Sequence, residues 1–73
     1  MIANNQQNEK FIEDCANTII KTINKLIKEK QITREQYNKL STNIAFIISK
    51  YAIYHKNRIS IPAKVLINNF LED

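Results

Sequence analysis

Apolar positions recur at helical spacing in three stretches of this chain, separated by two short polar breaks. In the first stretch Phe11, Ile12, Cys15, Ala16, Ile19, Ile20, Ile23, Leu26 and Ile27 stand three or four apart, as one face of a helix requires. Within that set Ile12, Ala16, Ile19, Ile23 and Leu26 keep a four-three-four-three rhythm, the seam of a coiled-coil-like pair. The apolar face is wider than a zipper seam, so it suits a bundle core. The pattern predicts a helix over about 9–30. Glu9, Glu13 and Asp14 near its start and Lys25, Lys28 and Lys30 near its end match the helix dipole. Residues 1–8 are polar and rich in Asn and Gln. They are read as a flexible arm, with Asn5 or Asn8 as the cap.

The first break, Lys30–Thr33, ends in Thr33-Arg34-Glu35-Gln36, which fits a capping box, with Ile32 and Tyr37 placed as its hydrophobic staple. A second helix is expected over about 34–56. Tyr37, Leu40, Ile44, Ile47, Ile48 and Tyr51 share its inner face. Phe46 and Ile53 fall on the opposite side, which gives this helix two apolar sides and calls for partners on both. The second break is Asn57-Arg58-Ile59-Ser60, with Asn57 as the expected left-handed terminal residue. Ser60 and Pro62 then open a short third helix over about 61–71, striped by Ala63, Leu66, Ile67, Phe70 and Leu71. Short turns between long helices make them antiparallel neighbours. The fold class is therefore all-α: an antiparallel hairpin plus a short third helix, a small bundle in a single domain spanning 1–73.

Size changes this picture most. A chain of 73 residues buries only about 60% of the surface its unfolded form exposes, and small domains usually need a staple. One Cys rules out an internal disulfide, and one Cys with one His falls short of a structural zinc set. No metal or cofactor is expected. The remaining device is association, so the sequence predicts a homodimer or a chain completed by another protein, with Phe46, Ile53 and Tyr54 at the protein interface. No stretch approaches the length of an uncharged apolar membrane span, and no early apolar run resembles a leader. The expected address is cytoplasmic, without membrane contact. Nine Lys against two Arg, with abundant Ile and Asn, point to an AT-rich coding sequence of bacterial, phage or mobile-element origin.

The net charge of +4 is unevenly spread. From Gln36 to Leu71 there is no acidic residue, while Lys39, Lys50, Lys56, Arg58 and Lys64 all lie there. Such a segment favours phosphate or an acidic protein surface; its plainer role is to keep the chain soluble. Lys50, Tyr54 and Arg58, four apart, line one stripe of the second helix. Cations around an aromatic ring suit either a nucleic-acid backbone or an interface rim. The interface reading leads. In the alternative, Lys50, Lys56, Arg58 and Lys64 contact nucleic acid or another anion.

Catalytic chemistry finds little footing. His55 is placed on the inner face of the second helix, where it caps helix-end carbonyls. Cys15 is read as a small buried apolar residue. A hairpin turning at Lys30–Thr33 sets position 15 opposite about position 48 rather than 55, so Cys15 and His55 are not expected to pair. The acids form no inward-facing set, and no Gly exists to build a phosphate loop. An enzyme is not expected. The leading functional expectation is a self-associating helical interaction module that acts as an adaptor, inhibitor or regulator.

Overall fold

The structure, a computed structural model, describes the backbone of residues 2–72 and the side chains of residues 9–72. Four helices follow one another: α1 (Ile2–Lys28), α2 (Arg34–Thr42), α3 (Ile44–Lys56) and α4 (Ala63–Glu72). No strand occurs among the described residues. The all-α hairpin with a short closing helix is the fold that the periodicity predicts. α3 packs along α1, and α4 lies against α1, α2 and α3. Cys15 stands beside Tyr51 and His55, and Ile23 beside Ser41 and Ile44, so the chain runs antiparallel across the hairpin. The molecule measures 43 × 19 × 19 Å. Its length is that of α1, and its cross-section is roughly two helix diameters.

Several elements differ from expectation in instructive ways. α1 begins at Ile2 rather than near Asn8. No Gly or Pro interrupts the run from Ile2 to Phe11, and Ala, Gln and Glu extend a helix at little cost. Asn5 and Asn8 therefore lie within the helix instead of capping it. The side chains of residues 1–8, and with them the expected looseness of that arm, fall outside the described residues. The predicted helix over 34–56 is two helices, broken at Asn43. Its side-chain amide donates to the Lys39 carbonyl at 2.9 Å, while its N–H is shared between the Lys39 and Leu40 carbonyls, both at 3.2 Å. Ser41-Thr42-Asn43 is a run of side chains that compete for backbone hydrogen bonds, which interrupts a helix without Gly or Pro.

The capping box at α2 is formed as read. The Gln36 N–H donates to the Thr33 hydroxyl at 3.1 Å, and the Thr33 N–H donates to the Gln36 side-chain oxygen at 2.8 Å. At the other ends the chain does without glycine. Both α1 and α3 finish in Schellman motifs, with Lys30 (φ 57°) and Arg58 (φ 61°) in the left-handed region. Gln31 N–H reaches the Leu26 carbonyl at 2.9 Å, and Ile59 N–H reaches the Tyr54 carbonyl at 2.8 Å. The expected left-handed residue, Asn57, instead keeps φ −90° and donates its side-chain amide to the Ile53 carbonyl. Pro62 precedes α4 rather than sitting in its first turn, and its carbonyl accepts from the Leu66 N–H at 3.2 Å.

The core gathers Cys15, Ile19, Ile23 and Leu26 from α1, Leu40 from α2, Ile47, Tyr51 and Ala52 from α3, and Ala63, Leu66 and Ile67 from α4. In the α1 seam Cys15 is buried and Ile12 is exposed.

The two left-handed cations give a direct test. Lys30→Gly and Arg58→Gly should each raise the unfolding free energy by about 1 kcal/mol, since Gly carries no Cβ penalty there. Asn57→Gly, one residue from the left-handed position, should lower it. Urea denaturation of the three variants measures the difference.

Candidate interaction surface

The outer ridge of α3 separates two grooves, and the sequence-predicted residues divide between them. On one side, between α3 and α4, lies a groove of about 320 Å³ lined by Lys39, Phe46, Lys50, Tyr54, Ile61, Asn69 and Phe70, with Ile47 and Leu66 beneath. On the other side, between α1 and α3, a larger groove of about 480 Å³ is lined by Phe11, Ile12, Ser49, Ala52, Ile53 and Lys56. Phe46 and Ile53, expected to share one apolar face, thus open onto different grooves.

The α1–α3 groove is the more apolar of the two. Phe11 is 37% exposed, Ile12 52% and Ile53 58%. Ser49 and Ala52 are small, so the floor between the two helices stays open.

The α3–α4 groove is aromatic and basic. The Phe46 and Phe70 rings lie 6.2 Å apart at 47°. The Lys39 ammonium sits 5.2 Å from the centre of the Phe70 ring, and that of Lys50 sits 5.9 Å from the centre of Phe46. Both arrangements are cation–π contacts within the usual reach of about 6 Å. Lys39 was the residue that spacing along one helix could not assign to this site. It arrives from α2, which leans on α4 beyond the break at Asn43. Of the other expected anion contacts, Lys56 borders the α1–α3 groove and Arg58 occupies the left-handed turn. Lys64 is exposed on α4 and lines neither groove.

A third cluster corrects the sequence-based register. Cys15 and His55 line one shallow groove with Phe11, Asp14, Thr18 and Tyr51, rather than standing a helical turn or two out of step. Burial pushes the Cys15 thiol above its ordinary 9.0, and the neighbouring Asp14 carboxylate adds to the effect. Burial does the same to the Tyr51 hydroxyl. His55 is exposed rather than inward-facing, and its ring lies 4.3 Å from that of Tyr51. The α3 end is capped by the Asn57 amide in the role expected of His55. Proximity without a lowered thiol pKa does not make an activated nucleophile. Among the described residues no group of three His, Cys, Asp or Glu side chains could hold a metal ion, and no helix is long and apolar enough to cross a membrane.

These features define a small all-α bundle with surface grooves along α3. Comparison with protein-family models, with curated proteins and with solved structures finds no match for the chain.

The raised thiol carries a sign that can be measured. Below pH 9 the thiol is protonated in both folded and unfolded chains. Above it the unfolded thiol ionises while the folded one resists, so folding loses stability as pH rises through the folded value. The stability advantage of the natural chain over Cys15→Ala should therefore shrink as pH rises above 9.0. Paired urea titrations on either side of that pH measure it.

Proposed function

We propose that this chain is a non-enzymatic helical interaction module that self-associates through the α1–α3 groove and acts as a small adaptor, inhibitor or regulator of another protein. The observation that carries this reading is the exposure of Phe11, Ile12 and Ile53 around an open floor of Ser49 and Ala52. A contiguous apolar cleft of this kind on a small protein is costly to leave in water, and such patches mark interfaces. Large side chains beside small ones also supply both halves of a self-complementary contact. In a two-fold pair, Ile53 of each copy enters the floor between Ser49 and Ala52 of the other. The rim is polar and basic through Lys56, in keeping with the usual interface pattern of apolar centre and charged border.

The burial of Cys15 supports the non-enzymatic part of this reading, because its thiol is held protonated. Self-association also answers the size argument: a second copy covers apolar surface that the four helices leave exposed.

Sedimentation velocity provides the test. The natural chain is expected to sediment as a dimer at about 100 µM, with a mass that depends on concentration. Ile53→Asp should weaken association at least about tenfold while leaving helical circular dichroism unchanged, because the side chain is largely outside the core. A well-folded monomer for the natural chain at that concentration would remove the reading.

A further inference from the structure

We propose that the α3–α4 groove is a docking site for an acidic amphipathic helix of another protein, one that rests an apolar side chain against Phe46 and Phe70 and carboxylates against Lys39 and Lys50. The site is separate from the α1–α3 groove used for self-association.

Charge supplies the first argument for this occupant. Lys39 and Lys50 reach the groove from two different helices, and the segment that builds it, Gln36 to Leu71, contains no acidic residue. Both ammonium groups are thus held at the groove without an acid from that segment. A second copy would bring the same cations to the same groove, and like charges brought together are costly. A partner bearing carboxylates gains where a second copy loses.

Preorganisation supplies the second. Each lysine is already drawn over a phenylalanine ring, at 5.2 and 5.9 Å. Long flexible side chains lose entropy on being fixed in a complex. These two have lost part of that freedom beforehand, so a carboxylate meets cations already positioned.

The ring geometry decides between peptide and nucleic acid. Base stacking needs a free aromatic face, and one face of each ring is taken by its own lysine. The two rings are inclined at 47° to each other, so they do not form a parallel-walled slot for a base. The inclined rings instead make a wedge above the apolar side chains of Ile47 and Leu66. At about 320 Å³ the groove lies at the small end of ligand sites. That suits one large apolar anchor, with Asn69 offering an amide beside it. Helix-in-groove recognition through a few anchors spaced along one face is an established mode.

The test uses the full chain and a labelled synthetic peptide of about fifteen residues, rich in Glu with Leu and Phe four apart. Binding is read by fluorescence anisotropy and located by amide chemical shifts. The Glu peptide should bind, its Gln counterpart at least about tenfold more weakly, and added salt should weaken the complex. Lys39→Glu and Lys50→Glu should each reduce affinity by about fivefold or more, while Lys64→Glu, outside the groove, should not. Shifts should centre on Phe46, Lys50 and Phe70, and should persist in Ile53→Asp, which separates this site from self-association. Equal binding of the Glu and Gln peptides would overturn the proposal. So would no binding at about 1 mM, or equal loss from Lys64→Glu. Tighter binding of a thymidine oligonucleotide in the same groove would replace the peptide reading with a nucleic-acid one.

Discussion

Ile19, Leu40, Ile47 and Ile67 are the largest side chains that the molecule removes almost completely from water, and each comes from a different helix. They pack in one core cluster to which α1, α2, α3 and α4 all contribute, and this shared contact holds the four helices together. Everything else in the fold is arranged by what this contact can and cannot reach. In a body about 19 Å across, a core of this kind is a single layer. Side chains pointing inward from any helix are covered. Those on the far side of α3 stay largely exposed, because α1 and α4 lie on its inner flanks. The exposure of Phe46 and Ile53 follows from that geometry as much as from their chemistry. The same limit explains why the interior, among the described residues, holds no buried polar or charged side chain. A core this thin leaves little room for a polar group and its partner together.

The break at Asn43 turns that core into a surface with character. An unbroken helix from Arg34 to Lys56 would keep Lys39 and Lys50 about three turns apart on one line. With the break, α2 leans against α4, and Lys39 comes to lie over Phe70 while Lys50 lies over Phe46. The two rings are themselves in contact. Residues that are remote along the helix thereby border one groove. A local competition for hydrogen bonds, in which the Asn43 amide takes the Lys39 carbonyl, has a consequence at the level of the whole surface.

How legible this was in the sequence depended on whether a feature was local. The capping box at Thr33 and Gln36 was readable because its partners are three residues apart and its chemistry is specific. The stripe of Ala63, Leu66 and Ile67 was readable because one apolar face on a short helix has one place to go. The bend at Asn43 had a signal in Ser41-Thr42-Asn43, but a weaker one than Gly or Pro, and the strong apolar rhythm on either side masked it. The two turns were found at the right places, but a left-handed residue was expected only at the second and was given to Asn57 where Arg58 holds it. Asn tolerates that backbone better than Arg, yet at Asn57 the side chain is used to hold the Ile53 carbonyl. The grouping of Phe46 with Ile53 failed for a different reason. Angle around one helix says which side a residue faces, but not which neighbour rises beside it. Phe46 meets Phe70 from α4, whereas Ile53 borders Phe11 and Ile12 from α1.

The register error at Cys15 shows how little separates a bland reading from a sharp one, and why packing has to decide. Counting from the turn placed Cys15 near position 48; the structure sets it beside Tyr51 and His55. The shift follows from the shape of the turn: two Schellman-type bonds at the end of α1 and a five-residue connection to α2 displace the hairpin axis from its midpoint in the sequence. Nearness alone would suggest a thiol–imidazole pair. Burial argues the other way, because an apolar surround favours the neutral thiol and Asp14 adds a charge of the wrong sign for a thiolate. The Cys15 thiol is thus favoured in its neutral, less reactive form. Around the two grooves beside α3 the exposed groups are rings, aliphatic side chains and lysines, which suit the recognition of another surface. The physical logic of the fold therefore runs outward: a thin apolar centre fixes four helices, and their uncovered sides carry what is distinctive about the molecule.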